Sequence, residues 1–157
     1  MKNQVVHLRE MPRKLSFAPR VRSVGCFTAL QLPHRQRVEG VQFCYRFYAD
    51  SNWIQFDHDG HTRRGGFPQF LVKRPGEWVE TDSEAKLDVF WMSFDEAELP
   101  WFRERGLPDD LTISELTLSA RQLALIRDLQ ELCTHSAEPG AADRIDLLAL
   151  ELTAETL

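Results

Sequence analysis

The chain has little cysteine. Three occur in 157 residues, Cys26, Cys44 and Cys133, an odd number with no Cys-x-x-Cys spacing. Cys26 and Cys44 lie inside apolar, strand-like runs, where a reduced cysteine behaves as a small hydrophobe. A cytoplasmic protein is expected. No apolar run approaches the roughly 18–20 residues of a membrane span. The opening stretch MKNQVVHLREMPRK has no apolar segment long enough for a secretory signal. Neither a span nor a leader is therefore expected.

Catalytic signatures are missing as well. No Gly-x-Ser-x-Gly occurs, and no cysteine stands in sequence context with a histidine and an acid. There is no P-loop and no Gly-x-Gly-x-x-Gly; Gly65-Gly66 is a lone pair in a hairpin return. A barrel metalloenzyme would show His-x-His in an early strand and another His soon after a Pro-Gly turn, so that nitrogen ligands converge inside. Val38–Tyr48 contains no His, and Pro75-Gly76 is followed by Glu77, Trp78, Val79 and Glu80. His58 and His61 flank Asp59-Gly60, which reads as an exposed hairpin tip. No catalytic residue, metal or cofactor is expected, and the chain does not read as an enzyme.

Charge of one sign is scarce in each half. Residues 1–74 carry 13 Lys and Arg against 5 Asp and Glu, and residues 75–157 carry 6 against 19, within a net charge of −5. Three readings stay open. The halves can present solvated faces that attract each other across the fold. The basic half can line a pocket for an anionic ligand. Direct nucleic-acid binding is the third, and it is the weakest, because the basic residues are scattered among aromatics and the helical half is acidic.

What the chain does have is short strands. Gln4–Leu8, Val21–Leu32, Val38–Ala49, Trp53–Asp57, Thr62–Gly66, Phe70–Lys73, Trp78–Thr81 and Leu87–Phe94 read as strands, with Pro33–Arg37 as a polar turn. Asp50-Ser51-Asn52, Asp59-Gly60 and Pro75-Gly76 supply turns, and Asp82–Lys86 a polar loop. Met11–Pro19, with two prolines, reads as an extended arm. Gly25 marks a bulge or a close approach. In Val38–Ala49, Phe43, Tyr45 and Phe47 point one way and Cys44, Arg46 and Tyr48 the other. In Leu87–Phe94, Val89, Trp91 and Ser93 share one face, Phe90, Met92 and Phe94 the other. About eight strands at this spacing indicate an antiparallel sandwich or barrel.

The period then changes. Asp95–Gly106 holds a short helix with Pro100 near its start and Gly106 past its end. Ser119 and Gln122 form a capping box that opens a helix running to about His135, with Leu125, Leu129 and Leu132 on one stripe. Glu138-Pro139-Gly140 breaks it, and a second helix runs from about Ala142. Ile145, Leu147, Leu148, Ala149, Leu150, Leu152 and Ala154 surround nearly its whole circumference. One domain face needs only one apolar stripe, so the surplus predicts a second partner, a homodimer seam. The organisation is a β unit over residues 1–106 and a helical hairpin over 107–157, in one compact body.

Large flat side chains in strands, Trp53, Trp78 and Trp91, suit small organic ligands. Trp91 is the leading candidate, with Val89 and Ser93 on its face; Trp78 and Tyr45 are further candidates.

The chain resembles the N-terminal regulatory domain of AraC-type transcription regulators over roughly residues 20–157. The pieces are Arg46-Phe47-Tyr48, Lys73-Arg74-Pro75-Gly76-Glu77, Val89-Phe90-Trp91-Met92-Ser93-Phe94 and Asp146-Leu147-Leu148-Ala149-Leu150-Glu151-Leu152, in that order and spacing. The resemblance implies a mainly β fold, a cupin-like antiparallel jelly-roll barrel followed by two antiparallel α-helices. It implies a small-molecule effector in the barrel, with Trp91 at the position that stacks on sugar in the arabinose-sensing member. Thr81 and Val89 stand where that member has Tyr and His, so arabinose is not expected. It also implies a dimer interface at Leu147, Leu148 and Glu151, with Ala154 on the same helix. An arm over Met11–Pro19 would close over the ligand. DNA would be met only through helix-turn-helix units expected after residue 157, and the end within an apolar helix points to a longer protein. The alternatives are a small cupin enzyme (isomerase or dioxygenase) and a pure dimerisation module with a filled barrel.

Overall fold

A strand that alternates apolar and polar residues presents two unlike faces, and here both faces are used. The computed structural model describes residues 3–15, 19–31, 35–49, 53–58, 61–81, 86–108, 113–115 and 117–157, the backbone alone for 48–49, 53–58, 61–66, 80–81 and 113–114. In chain order these give β1 (Gln4–His7), β2 (Val21–Gln31), β3 (Arg35–Arg37), β4 (Val41–Ala49), β5 (Trp53–His58), β6 (His61–Gly66), β7 (Gln69–Lys73), β8 (Trp78–Thr81), β9 (Lys86–Phe94), α1 (Leu99–Arg103), β10 (Ile113–Glu115), α2 (Ala120–Thr134) and α3 (Ala141–Ala154). The strands form a six-stranded sheet, β1-β2-β9-β4-β7-β10, and a four-stranded sheet, β3-β8-β5-β6. Every pairing is antiparallel.

One face of the large sheet is apolar and carries the helices. Val24, Cys26, Val41, Phe43, Tyr45, Phe70, Val72, Phe90, Met92 and Phe94 are buried there against Phe102 of α1, Leu125, Ile126 and Leu129 of α2, and Ile145, Ala149 and Leu152 of α3. Phe102 sits 5.0 Å from Phe43 and 4.9 Å from Phe94, ring centre to ring centre. Each such ring contributes on the order of 1.5–3 kcal/mol by burial. The other face of the large sheet meets the small sheet through a lesser cluster, Val38, Cys44, Leu71, Val79 and Leu87.

The helices run antiparallel. Gln122 Nε2, at the start of α2, donates to the Glu155 carbonyl at the end of α3. The Ser119–Gln122 capping box is present in both directions. Gly140 opens α3 from a left-handed conformation, φ 80°, which favours glycine.

The chain before β2 is tied to α3. Arg13 Nε donates to Asp146 Oδ2 at 2.6 Å, and both side chains are almost wholly buried. Asp146 Oδ1 also accepts from the Val21 N–H, while Asp143 accepts from the Lys14 and Leu15 N–H groups. Residues 13–15 thus dock on the first turns of α3, where acidic side chains are favoured by the helix dipole.

Three departures from the sequence reading have physical causes. Arg35–Arg37 is an edge strand, where a polar turn was expected; a strand alternating exposed Arg and half-buried Gln carries no apolar signal. The strand expected from Val38 begins at Val41, after Gly40, where a Cβ would run into the Phe94 carbonyl. Ile113–Glu115 forms a short strand on β7, too brief to show a period. The turns expected at Asp50-Ser51-Asn52 and Asp59-Gly60, and most of the loop from Asp82, lie outside the described residues.

Candidate functional site

The pleat of the large sheet sets a polar lattice opposite the helices. Register places Ser23, Ser93, Gln42 and Lys73 in one row across β2, β9, β4 and β7. Gly25, Trp91, Cys44 and Leu71 form the next row, and Phe27, Val89, Arg46 and Gln69 the third. Ser23, Arg46, Gln69 and Lys73 are all buried. The same strands present only apolar or aromatic groups to the helices, so the polar residues of this sheet were sorted onto one side.

That side encloses space. An inner chamber of about 210 Å³ is walled, among the described residues, by Phe27 and Leu30 of β2, Cys44 and Arg46 of β4, Lys73 of β7 and Val89 of β9. Gln36, Gln42 and Trp91 line it too, and they also line an adjoining outer chamber of about 220 Å³ with His7, Arg22, Ser23 and Ser93. The Ser23 and Ser93 hydroxyls share a hydrogen bond of 2.6 Å.

Two backbone features shape the chambers. Phe27 pairs with Val89 and Leu30 with Leu87, which sets two residues on β2, Thr28 and Ala29, against one on β9, Asp88. The extra residue is a bulge, with Ala29 at φ 53° and its N–H donating to Asp88 Oδ1. It turns Phe27 and Leu30 to the same side. The second feature is Gly25, whose missing side chain leaves room for the Trp91 indole.

The described residues of the inner chamber include two cations. Burial lowers Arg46 to about 10 and Lys73 to about 8, and Arg46 lowers Lys73 further. Arg46 Nη1 donates to Gln69 Oε1 at 3.4 Å. The carboxylate that acts on Lys73, Glu77, is engaged by Arg74, accepting from its N–H at 2.8 Å and from Nη1 at 3.3 Å. No carboxylate is among the described lining residues of the inner chamber. Among the described residues no hydrogen bond or ion pair reaches the Lys73 ammonium.

Of the expected ligand residues, Trp91, Val89 and Ser93 come together on this face. Tyr45 does not join them: it is fully buried on the helix face, its hydroxyl 2.9 Å from Thr156 Oγ1, and burial pushes its pKa up. Alternation gives the cavity face of β4 to Cys44 and Arg46 instead. Trp78 lines neither chamber; it is 45% exposed with Arg35 stacked on its ring at 4.4 Å. Thr81 pairs with Phe56 through the backbone; its side chain lies outside the described residues, as do those of His58, His61 and Trp53. The sequence reading missed Lys73, Arg46, Gln36 and Gln42. Arg46 stands in mid-strand between Tyr45 and Phe47, which marks an unusual cation but not what it faces.

On α3, Leu147 is 42% exposed and Ala154 exposed, while Leu148 and Glu151 are half-buried. Leu147 and Leu148 border an open groove between α2 and α3 with Leu132, rimmed by Asp128, Glu131 and Glu138. Glu151 is paired with Arg121 of α2.

Among the described residues no three His, Cys, Asp or Glu side chains gather in a way that could hold a metal ion, and no helix is long and apolar enough to cross a membrane. The chain matches no protein-family model, and a comparison with curated proteins finds no match.

Proposed function

We propose that this chain is the effector-binding and dimerisation domain of an AraC-type transcription regulator. The two sheets form its cupin-like jelly roll, and a small organic molecule binds between them. The observation that carries this is the sorting of the large sheet: a polar, hollow face around Trp91 and a solid apolar face under the helices. One strand, β9, contributes to both. Ligand contacts to Val89, Trp91 and Ser93 therefore act on the strand whose Phe90, Met92 and Phe94 hold α1, α2 and α3. A ligand shifts an equilibrium only by its differential contacts with two states, and β9 is where such contacts meet the helices.

The exposed Leu147 beside Leu148 supports a homodimer through α3, since a monomer gains nothing from leaving it in water. DNA is engaged by a separate helix-turn-helix unit joined after α3. The chambers favour a binding role over a filled module. A thermal-shift screen of metabolites, followed by titration calorimetry, tests the proposal. Stabilisation by at least one compound, lost in Trp91→Ala, is expected; a screen with no stabilising compound would remove the binding role.

A further inference from the structure

The chemical class of the occupant follows from the inner chamber, granted that the chamber is a ligand site. Its walls divide by character. Trp91, Phe27, Leu30 and Val89 are apolar. Lys73 and Arg46 are cationic, both at least 97% removed from solvent. A buried ammonium is stable where a counter-charge and hydrogen-bond acceptors meet it. Within the described residues Lys73 has no hydrogen bond or ion pair, and Glu77, which acts on it electrostatically, is itself paired with Arg74.

We propose that the inner chamber takes a small organic carboxylate. Its oxygens lie against the Lys73 ammonium and the Arg46 guanidinium, and its apolar body packs on Trp91, Phe27 and Leu30. Gln42, paired with Lys73 across the strands, supplies an amide for a second polar group. The available space, about 210 Å³, is below the roughly 300–1,000 Å³ of pockets for drug-sized molecules. The inner chamber alone therefore takes a small acid, and a larger body would extend into the adjoining outer chamber of about 220 Å³. The observation is independent of helix packing, and it gives the basic half of the sequence a specific use: two of its cations face inward.

The test is calorimetry on the full chain at pH 7 with matched acid and amide pairs: acetate and acetamide, butyrate and butyramide, benzoate and benzamide, phenylacetate and phenylacetamide. Inorganic phosphate and neutral hexoses form separate arms. At least one carboxylate should bind about 10–100-fold more tightly than its amide, the contrast expected of a charge-assisted hydrogen bond. Lys73→Met should shrink that contrast, with Arg46 carrying what remains. If Lys73→Met does not fold, the acid-to-amide ratio on the unmodified chain decides alone. Equal binding of acid and amide overturns the carboxylate assignment, and so does binding confined to hexoses; either leaves the cavity as a ligand site. Binding of phosphate without any carboxylate overturns the organic part of the assignment. Absence of binding in every arm overturns both the class and the site.

Discussion

The Trp91 indole occupies the space a side chain on Gly25 would need: a Cβ there would stand 2.5 Å from both Cζ2 and Nε1 of the ring. The two residues are register partners on β2 and β9. One glycine therefore fixes where the largest side chain of the cavity lies. Gly25→Ala should push the indole into the chambers and cost about 1–3 kcal/mol, as overpacking does. Denaturant unfolding and the Trp91 emission maximum check this, and an unchanged midpoint and spectrum would mean the indole moves freely.

The Arg13–Asp146 pair should matter far more than surface pairs. Both partners are buried, so removing one leaves an uncompensated charge, a loss of about 3–5 kcal/mol. Asp146→Ala also strands the Val21 N–H. Arg9–Asp95, with its side chains 58% and 38% exposed, should contribute roughly 0–1 kcal/mol. Guanidinium denaturation of Asp146→Ala and Arg9→Ala gives the contrast.

The arm should also release in acid. Two backbone N–H donors, from Lys14 and Leu15, hold the Asp143 carboxyl below its ordinary value of 3.8. A carboxyl lowered in the folded state contributes stability that is complete above its unfolded value and lost as pH falls through the folded one. Amide exchange at Lys14 and Leu15 should therefore quicken below about pH 3.8, and Asp143→Asn should show no such step.

Lys73 gives a pH dependence of opposite kind. Burial brings it from 10.5 to about 8, so between those values the unfolded chain holds the proton and the folded chain does not. Stability from this group rises with pH across that window. The groups acting on it are Cys44 and Arg46 on β4 and Glu77 beyond β7. Lys73→Met should be more stable than the unmodified chain by roughly 1–3 kcal/mol at pH 7. The difference should shrink towards pH 10.5. Taking the difference cancels the buried thiols Cys26 and Cys133, which burial pushes up and which act in the other direction.

Much of the fold was legible because burial enforces a period. The faces of β4 and β9 followed from alternation, and the Ser119–Gln122 cap from its spacing. The face containing Trp91, Val89 and Ser93 was legible for the same reason. Lys73 and Arg46 were not, since a cation in a strand gives no sign of whether solvent or a cavity lies opposite. Gln36 was hidden in a stretch whose polar composition imitates a turn. Gly25 was marked as a close approach, but only register identifies Trp91 as what approaches. Trp78 and Tyr45 show the limit of aromaticity as a signal: one stacks under Arg35 at the surface, the other supports the helices.

At the α3 surface, Leu147→Asp should turn the proposed dimer into a monomer with little change in the unfolding midpoint, because Leu147 is already 42% exposed. Sedimentation equilibrium decides it; a persistent dimer would place the seam elsewhere.

The most direct test follows the indole N–H of Trp91 by ¹H–¹⁵N NMR while stabilising metabolites are added. Four tryptophans give four such signals, and Trp91→Phe assigns the one that matters. The expected result is a large shift of the Trp91 signal with the Trp101 signal, on α1, moving less. A metabolite that stabilises the protein yet leaves Trp91 unmoved would contradict binding between the sheets.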